Sequence, residues 1–323
     1  MITVKVVNSD GIIWNPEQVA IEIIKASAQG PVILDLMHEG PCCNTVGIDT
    51  MLDSIVATFN FDPALYTIKT SNQLPSSRYK EHRKSFVELS TVQEKARSLC
   101  NSNSTLEKRF GSFISRSNWL RLAISSYLYN HHADATIMTY HYSPDSDYHT
   151  DHFGLEKLLN KHWEEIDQIT NFLKQLPIRA ESYQYPILWS NRALDLDIYY
   201  QKIFCDVICE SYFSGKSFLI TEKTMRAIAH RRPFIVQGPQ WYLHNLKLLG
   251  FKTFDQWWDE GYDEDPWDFK YQALKQNIDY IAKQNTTTIA QWNKEMLNVL
   301  DHNYNTLNEL TAEKILSTKF FFQ

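Results

Sequence analysis

The chain has 323 residues, which is longer than one typical domain and about the length of two. Hydrophobic residues make up 43% and charged residues 22%, a globular composition that excludes a mostly disordered chain. Acidic residues outnumber basic ones 38 to 32, and the net charge of -6 disfavours tight non-specific binding to a polyanion. There is no basic leader, no apolar run of roughly 20 residues, and no cysteine spacing typical of zinc or redox motifs. These features predict a cytoplasmic protein with reduced thiols.

The first third of the chain predicts an alternation of strands and helices. β-Branched and apolar runs indicate strands at residues 3–7, 32–37, 55–59 and 65–70. Apolar residues at helical spacing indicate helices at residues 17–28 and 49–54. This alternation predicts an open α/β sheet with right-handed crossovers.

Residues 71–106 are polar and rich in Ser and Asn, which favours a linker, although residues 86–99 could form a helix of their own. A second alternation follows, and its strands are predicted at residues 110–116, 135–142, 202–210 and 232–236. Its helices are predicted at residues 119–129, 155–176, 241–249 and over most of 271–316. We therefore expect an N-terminal α/β domain at 1–106, a second α/β domain at 107–290 and a helical C-terminal segment at 291–323.

The predicted helix that begins after Thr221 carries the clearest chemistry. Thr221 is a favourable N-cap, and Glu222 in the first turn complements the helix dipole. Lys223 and Arg226 are three residues apart and share a face near the helix start. Free backbone N–H groups and two cations at one place suit a phosphate or diphosphate, and Glu210 at the preceding strand end could bind ribose hydroxyls. Spacing alone leaves a solvated basic face as the alternative for the two cations.

Three segments of this region resemble the donor half of GT-B glycosyltransferases. They are Glu210-Ser211, Ile220-Thr221-Glu222-Lys223 and Arg232-Pro233-Phe234-Ile235-Val236-Gln237-Gly238. The similarity is greatest to the α-1,3-fucosyltransferase group and covers roughly residues 107–275. It implies two Rossmann-like domains that face each other across a cleft. In that arrangement the C-terminal domain binds the nucleotide sugar, and the N-terminal domain binds the acceptor and carries the catalytic base.

The resemblance implies a donor site made of residues from several strand ends and one helix start. These residues are Arg116, Glu210, Ser211, Thr221, Glu222, Lys223, Arg226 and Gly238. Arg116 follows a strand end similar to the one from which an Arg commonly reaches the diphosphate in such domains. A nucleoside-diphosphate sugar is the implied co-substrate, with no cofactor and no metal. The expected reaction is transfer of a hexosyl or pentosyl group to a hydroxyl acceptor, a saccharide being favoured.

Inverting transfer needs a carboxylate or a histidine that takes the proton from the acceptor hydroxyl. Ligands of α/β sheets collect beyond the carboxyl ends of the strands. His38 and Glu39 directly follow the predicted strand at residues 32–37, and we expect one of them to be the base. A solvated loop carboxylate is the alternative interpretation of Glu39.

Three other motifs predict competing sites. Asp145 and Asp147 follow an apolar strand, as a metal-binding Asp-x-Asp pair does, but an exposed turn has the same composition. Residues 149–152 contain two imidazoles and one carboxylate, with no third distant ligand indicated for a metal. Residues 215–217 (Gly-Lys-Ser) look like the end of a P-loop whose required first glycine is missing.

Two alternative functions stay open at this point. Basic clusters at residues 78–84 and 230–232 permit a phage-type transferase that acts on hydroxymethylated bases in DNA. A nucleotide- or glycan-binding module without turnover is the non-enzymatic alternative.

Overall fold

The computed structural model describes residues 1–6, 15–37, 40–85, 89–98, 106–114, 117–141, 160, 163–180, 196–210, 212–213 and 215–322. All statements below concern these residues.

Four parallel strands form the first sheet, in the order β1-β2-β3-β4. The strands are β1 (Ile2–Lys5), β2 (Val32–Leu36), β3 (Tyr66–Thr70) and β4 (Lys80–Arg83). Helices α1 (Pro16–Ser27) and α2 (Ile48–Phe59) connect the first three strands. Each strand lies beside the preceding one, so the chain crosses the described sheet in one direction.

Burial alternates along the central strands of this sheet. Residues 32, 34 and 36 of β2 are buried, whereas residues 33 and 35 are half-exposed, and β3 repeats the pattern. Ile23 of α1 and Leu52 of α2 belong to the same buried cluster as Leu34. The first sheet therefore buries one face under these helices and leaves its other face partly open.

Two sequence predictions for this part were wrong. Residues 55–59 were expected to form a strand but belong to α2, where Leu52 and Ile55 extend one buried helical face. The fourth strand lies inside the segment expected to be a linker. Because β4 is an edge strand with mostly exposed residues, no apolar alternation predicts it. The helix considered for residues 86–99 is present as α3 (Leu89–Ser98).

Four parallel strands also form the second sheet, in the order β6-β5-β7-β8. They are β5 (Lys108–Ile114), β6 (Thr136–Tyr140), β7 (Ile203–Cys209) and β8 (Phe234–Gln237). Its helices are α4 (Trp119–His132), α5 (Ile166–Leu173), α6 (Glu222–Ala229), α7 (Tyr242–Leu248), α8 (Trp267–Ala282), α9 (Thr286–Glu295), α10 (Leu297–Glu309) and α11 (Ala312–Ser317). Every residue of β7 is buried, as in a parallel strand covered on both faces.

The two four-stranded parallel sheets confirm the predicted α/β class and are compatible with two Rossmann-like domains. None of the helices in the described ranges is both long enough and apolar enough to cross a bilayer.

The core of the second sheet extends beyond residues 107–290. Val92 and Ala96 of α3 lie in the same hydrophobic cluster as the C-terminal Leu300. The side chain of Gln93 donates hydrogen bonds to the carbonyls of Leu307 (2.9 Å) and Leu310 (2.8 Å). Helix α3 and the C-terminal helices therefore pack together as part of the core of the second sheet.

The carboxyl edge of the first sheet contacts the segment between β7 and α6. Asn72, which follows β3 and is fully buried, donates to the Lys216 carbonyl (2.7 Å) and accepts from the Phe218 N–H (2.9 Å). Gly215 has a φ of +72°, and a Cβ on it would lie 2.9 Å from the Sγ of Cys42. Gly215 therefore allows both the turn and the close approach to the segment that follows β2.

We expect Asn72→Ala to lower the free energy of unfolding by about 2–3 kcal/mol, because it leaves buried backbone groups of residues 216 and 218 unpaired. Chemical denaturation measures the change. Asn171→Ala is the control, since the exposed Asn171 side chain donates a hydrogen bond to the Asn130 side chain of α4 (3.1 Å) and to no buried backbone group among the described residues. An Asn72 variant as stable as this control would contradict the expectation.

Candidate functional site

The strand order of the second sheet locates a crevice. From β5 the chain passes to β6 on one side of the sheet and then returns to β7 on the other side. Connections that leave neighbouring strands in opposite directions open a crevice outside the carboxyl ends of β5 and β7, where ligands of α/β sheets bind. The described order of the first sheet has no such reversal. The candidate site is therefore at the ends of β5 and β7.

Glu210 is the residue that organises this edge. It follows β7 and is 3% exposed. Its carboxylate accepts hydrogen bonds from the hydroxyls of Thr221 (2.7 Å), Thr224 (2.9 Å) and Tyr242 (2.9 Å). These bonds connect the end of β7 to the starts of α6 and α7. The structure thus surrounds Glu210 with protein hydroxyls, a different set of partners from the expected ribose hydroxyls.

Thr221 confirms the predicted N-cap. Its backbone is extended, and its hydroxyl accepts a hydrogen bond from the Lys223 N–H (3.2 Å) while donating to Glu210. Gly238 has a packing role at the end of β8. A Cβ there would lie 2.9 Å from the Cγ of Tyr242, so the glycine lets Tyr242 reach Glu210.

Lys223 lies between two carboxylates. Its Nζ is 3.2 Å from Glu222 Oε1 and 3.8 Å from Glu210 Oε2, and its side chain is 15% exposed. Burial tends to raise the pKa of Glu222, but the charges of Lys223 and Arg226 outweigh it and lower this pKa to about 2. The helix start therefore carries the two predicted cations within electrostatic reach of one carboxylate.

Arg226 extends from α6 across the sheet towards the end of β5. Its guanidinium carbon lies 5.9 Å from the ring centroid of Phe113 and 5.6 Å from that of Tyr200. Its Nε donates to the Tyr200 hydroxyl (2.9 Å), which in turn donates to Asp206. Burial raises the pKa of Asp206 above its ordinary range, although Arg226 and Tyr200 act against the rise.

Arg121 is a residue that sequence reasoning missed. It lies in the first turn of α4, is 4% exposed, and donates from Nε to the Cys209 carbonyl (3.2 Å) at the end of β7. The available signal was an arginine between Leu120 and Leu122 in an otherwise apolar stretch. A buried guanidinium at the crevice adds a third cation to this edge.

Several predicted residues lie outside the described ranges, namely His38, Glu39, Arg116, Ser211, Asp145, Asp147 and residues 149–152. The structure brings six residues of the predicted donor site together. Glu210 and Gly238 follow strands, Thr221 caps α6, and Glu222, Lys223 and Arg226 lie on α6. Within the described residues, no group of three or more His, Cys, Asp or Glu side chains could hold a metal ion.

Comparisons of this chain with protein-family models, with curated proteins and with solved structures found no match.

We expect Glu222→Gln to destabilise the protein at pH 6 and to have a progressively smaller effect as the pH falls. A carboxyl whose pKa is lowered in the folded state stabilises above its unfolded value of 4.5, and this stabilisation disappears as the pH falls to about 2. Denaturation of both proteins between pH 2.5 and 6 measures the difference.

The matched control is Glu313→Gln, which changes an exposed first-turn glutamate of α11. If the Glu222 variant differs from the wild type by the same amount at every pH, the cations do not act on this carboxylate.

Proposed function

We propose that this chain is a GT-B-type glycosyltransferase that moves a sugar from a nucleoside-diphosphate donor to a hydroxyl acceptor. The observation that carries the proposal is the cationic start of α6 at the strand-order reversal of the second sheet. Cleavage of the donor leaves negative charge on the diphosphate. Fixed cations stabilise that charge in the transition state, which is the main chemical demand of the reaction.

Lys223 and Arg226 are proposed to bind the diphosphate, together with Arg116. In the ligand-free protein the Glu222 carboxylate pairs with Lys223 and lies within the electrostatic influence of Arg226. Its side chain is 36% exposed. A diphosphate competes with Glu222 for the same charges, so donor binding is expected to turn this side chain away. This competition makes the site selective for ligands with more negative charge than one carboxylate.

Contacts between the carboxyl edge of the first sheet and the segment before α6 support an acceptor side formed by the first sheet. The Ser217 hydroxyl donates to the Gly40 carbonyl (3.3 Å), so the chain that follows β2 reaches the segment before α6. Glu39 and His38 directly precede Gly40. We assign the proton-accepting role to Glu39, with His38 as the other candidate.

Glu210 and Ser211 are proposed to face the ribose. Because three protein hydroxyls already bond to Glu210, a ribose hydroxyl would have to replace one of them. The support for Glu210 is therefore stronger as the residue that holds Thr221 and the helix start in place. The proposed acceptor is a saccharide.

We expect Lys223→Ala to lower kcat/KM for the donor at least ten-fold, about 1.4 kcal/mol of transition-state stabilisation. Steady-state kinetics with the best donor from a nucleotide-sugar panel measures it. Lys252→Ala, which changes an exposed lysine on the loop after α7, is the control. An unchanged kcat/KM in a folded Lys223 variant would refute the assignment.

Activity is expected to survive a chelator, since side-chain cations supply the positive charge in this proposal. The measurement is donor turnover before and after prolonged treatment with EDTA, with Mg²⁺ and Mn²⁺ added back in a parallel sample. Complete loss that either metal reverses would favour a metal-dependent transferase using Asp145 and Asp147.

One observation favours hydroxymethylated DNA as a second candidate acceptor. Lys80, His82 and Arg83 of the edge strand β4 are exposed. Basic residues on an accessible edge suit a phosphate backbone. Failure to bind duplex DNA in a low-salt filter assay would remove this candidate.

A binding module without turnover would bind the donor but show no slow donor hydrolysis in the absence of acceptor.

A further inference from the structure

A chain of hydrogen bonds extends from the middle of β7 to the guanidinium of Arg226. The Asp206 carboxylate is 2% exposed and accepts from the hydroxyl of Tyr200, a residue that is fully buried. Since that hydroxyl has a single proton and gives it to Asp206, its lone pairs face Arg226, whose Nε donates at 2.9 Å. Donation therefore runs from the guanidinium of Arg226 to the Tyr200 hydroxyl and from that hydroxyl to the Asp206 carboxylate.

Tyr200 is itself held from two sides. The imidazole of His230 stacks on its ring at a centroid distance of 4.3 Å and an interplanar angle of 7°. His230 Nε2 lies 3.0 Å from Asp197, and Arg232 donates to the Tyr200 carbonyl. These contacts hold the Tyr200 ring in place beneath the guanidinium of Arg226.

This arrangement uses only one of the guanidinium's three nitrogens. The Nε–H bonds to Tyr200, whereas the two terminal amino groups have no hydrogen-bond partner in the described part of the chain. Arg226 lies one turn after Glu222 on α6, near the helix start, and its positive charge lowers the pKa of Glu222. Its guanidinium carbon lies over the rings of Phe113 and Tyr200, at 5.9 Å and 5.6 Å from their centroids.

We propose that Tyr200 and Asp206 are positioning residues that hold Arg226 so that its two terminal amino groups grip the diphosphate of the donor. The inference rests on the proposed function. A free arginine side chain loses rotamer entropy when it is ordered. Ordering before the ligand arrives removes that cost from binding and aims two parallel N–H groups at phosphoryl oxygens.

The test is a double-mutant cycle on ligand binding. Inorganic pyrophosphate and the four common nucleoside diphosphates are titrated calorimetrically into the wild type, Tyr200→Phe, Arg226→Ala, the double variant and Lys223→Ala. The phenylalanine variant keeps the stacked ring and removes one hydroxyl. We expect it to weaken pyrophosphate binding about five- to ten-fold, and to have no further effect when Arg226 is alanine.

Tyr199→Phe is the matched control. Tyr199 is the neighbouring residue, its ring also contacts Phe113, and its hydroxyl bonds to the Ala180 carbonyl rather than to Arg226. Its affinity should equal that of the wild type. Should Tyr200→Phe fail to fold, Asp206→Asn provides the same cycle, because it weakens the acceptor that orients the Tyr200 hydroxyl.

The outcomes separate the inference from the proposed function. If Arg226→Ala weakens binding but Tyr200→Phe does not, the function stands and the positioning role is refuted. If Tyr200→Phe weakens binding equally with and without Arg226, its effect is structural and the inference is also refuted. If the wild type binds no probe, or if neither Arg226→Ala nor Lys223→Ala alters binding, both fail.

Discussion

The buried carboxylate of Glu210 is the constraint on which the candidate site depends. Removing a charge from water costs several kcal/mol unless hydrogen bonds replace the lost solvent. Here three hydroxyls do so, and they come from the N-cap and first turn of α6 and from the start of α7. One strand-end carboxylate therefore links the end of β7 to the starts of two helices. The position of Lys223 follows from the same requirement, because its amine lies within 3.8 Å of that carboxylate.

The charges around the start of α6 form two groups, each with one cation beside carboxylates of opposite sign or connected to one. Lys223 lies against Glu222 and Glu210, while Arg226 is anchored through Tyr200 to Asp206. Each cation is thus oriented by a buried or half-buried carboxylate before any ligand arrives. Cations held in place in this way stabilise developing negative charge, which the proposed cleavage of a diphosphate leaving group would require. The contacts of Asn72 with residues 216 and 218 hold the first sheet beside this edge, where the proposed reaction needs its acceptor hydroxyl.

Local patterns predicted much of the fold and part of the site. The α/β class, most strands of both sheets and the N-cap at Thr221 follow from burial periodicity and capping preferences, which depend on neighbouring residues only. The same reasoning failed where tertiary packing overrides local preference. The β-branched run at 55–59 continues a helix because its apolar face packs on the first sheet, and β4 pairs at an edge without an apolar pattern.

Sequence by itself determined that a capped helix with Lys223 and Arg226 near its start follows a buried strand ending in Glu210. Only the tertiary structure decided which groups surround these side chains. The partners of Glu210 are 11, 14 and 32 residues away in sequence, and Tyr200 precedes Arg226 by 26. Arg121 meets the end of β7 from 88 residues earlier. Such contacts depend on how helices pack across strands that are distant in sequence, and no local spacing encodes that geometry.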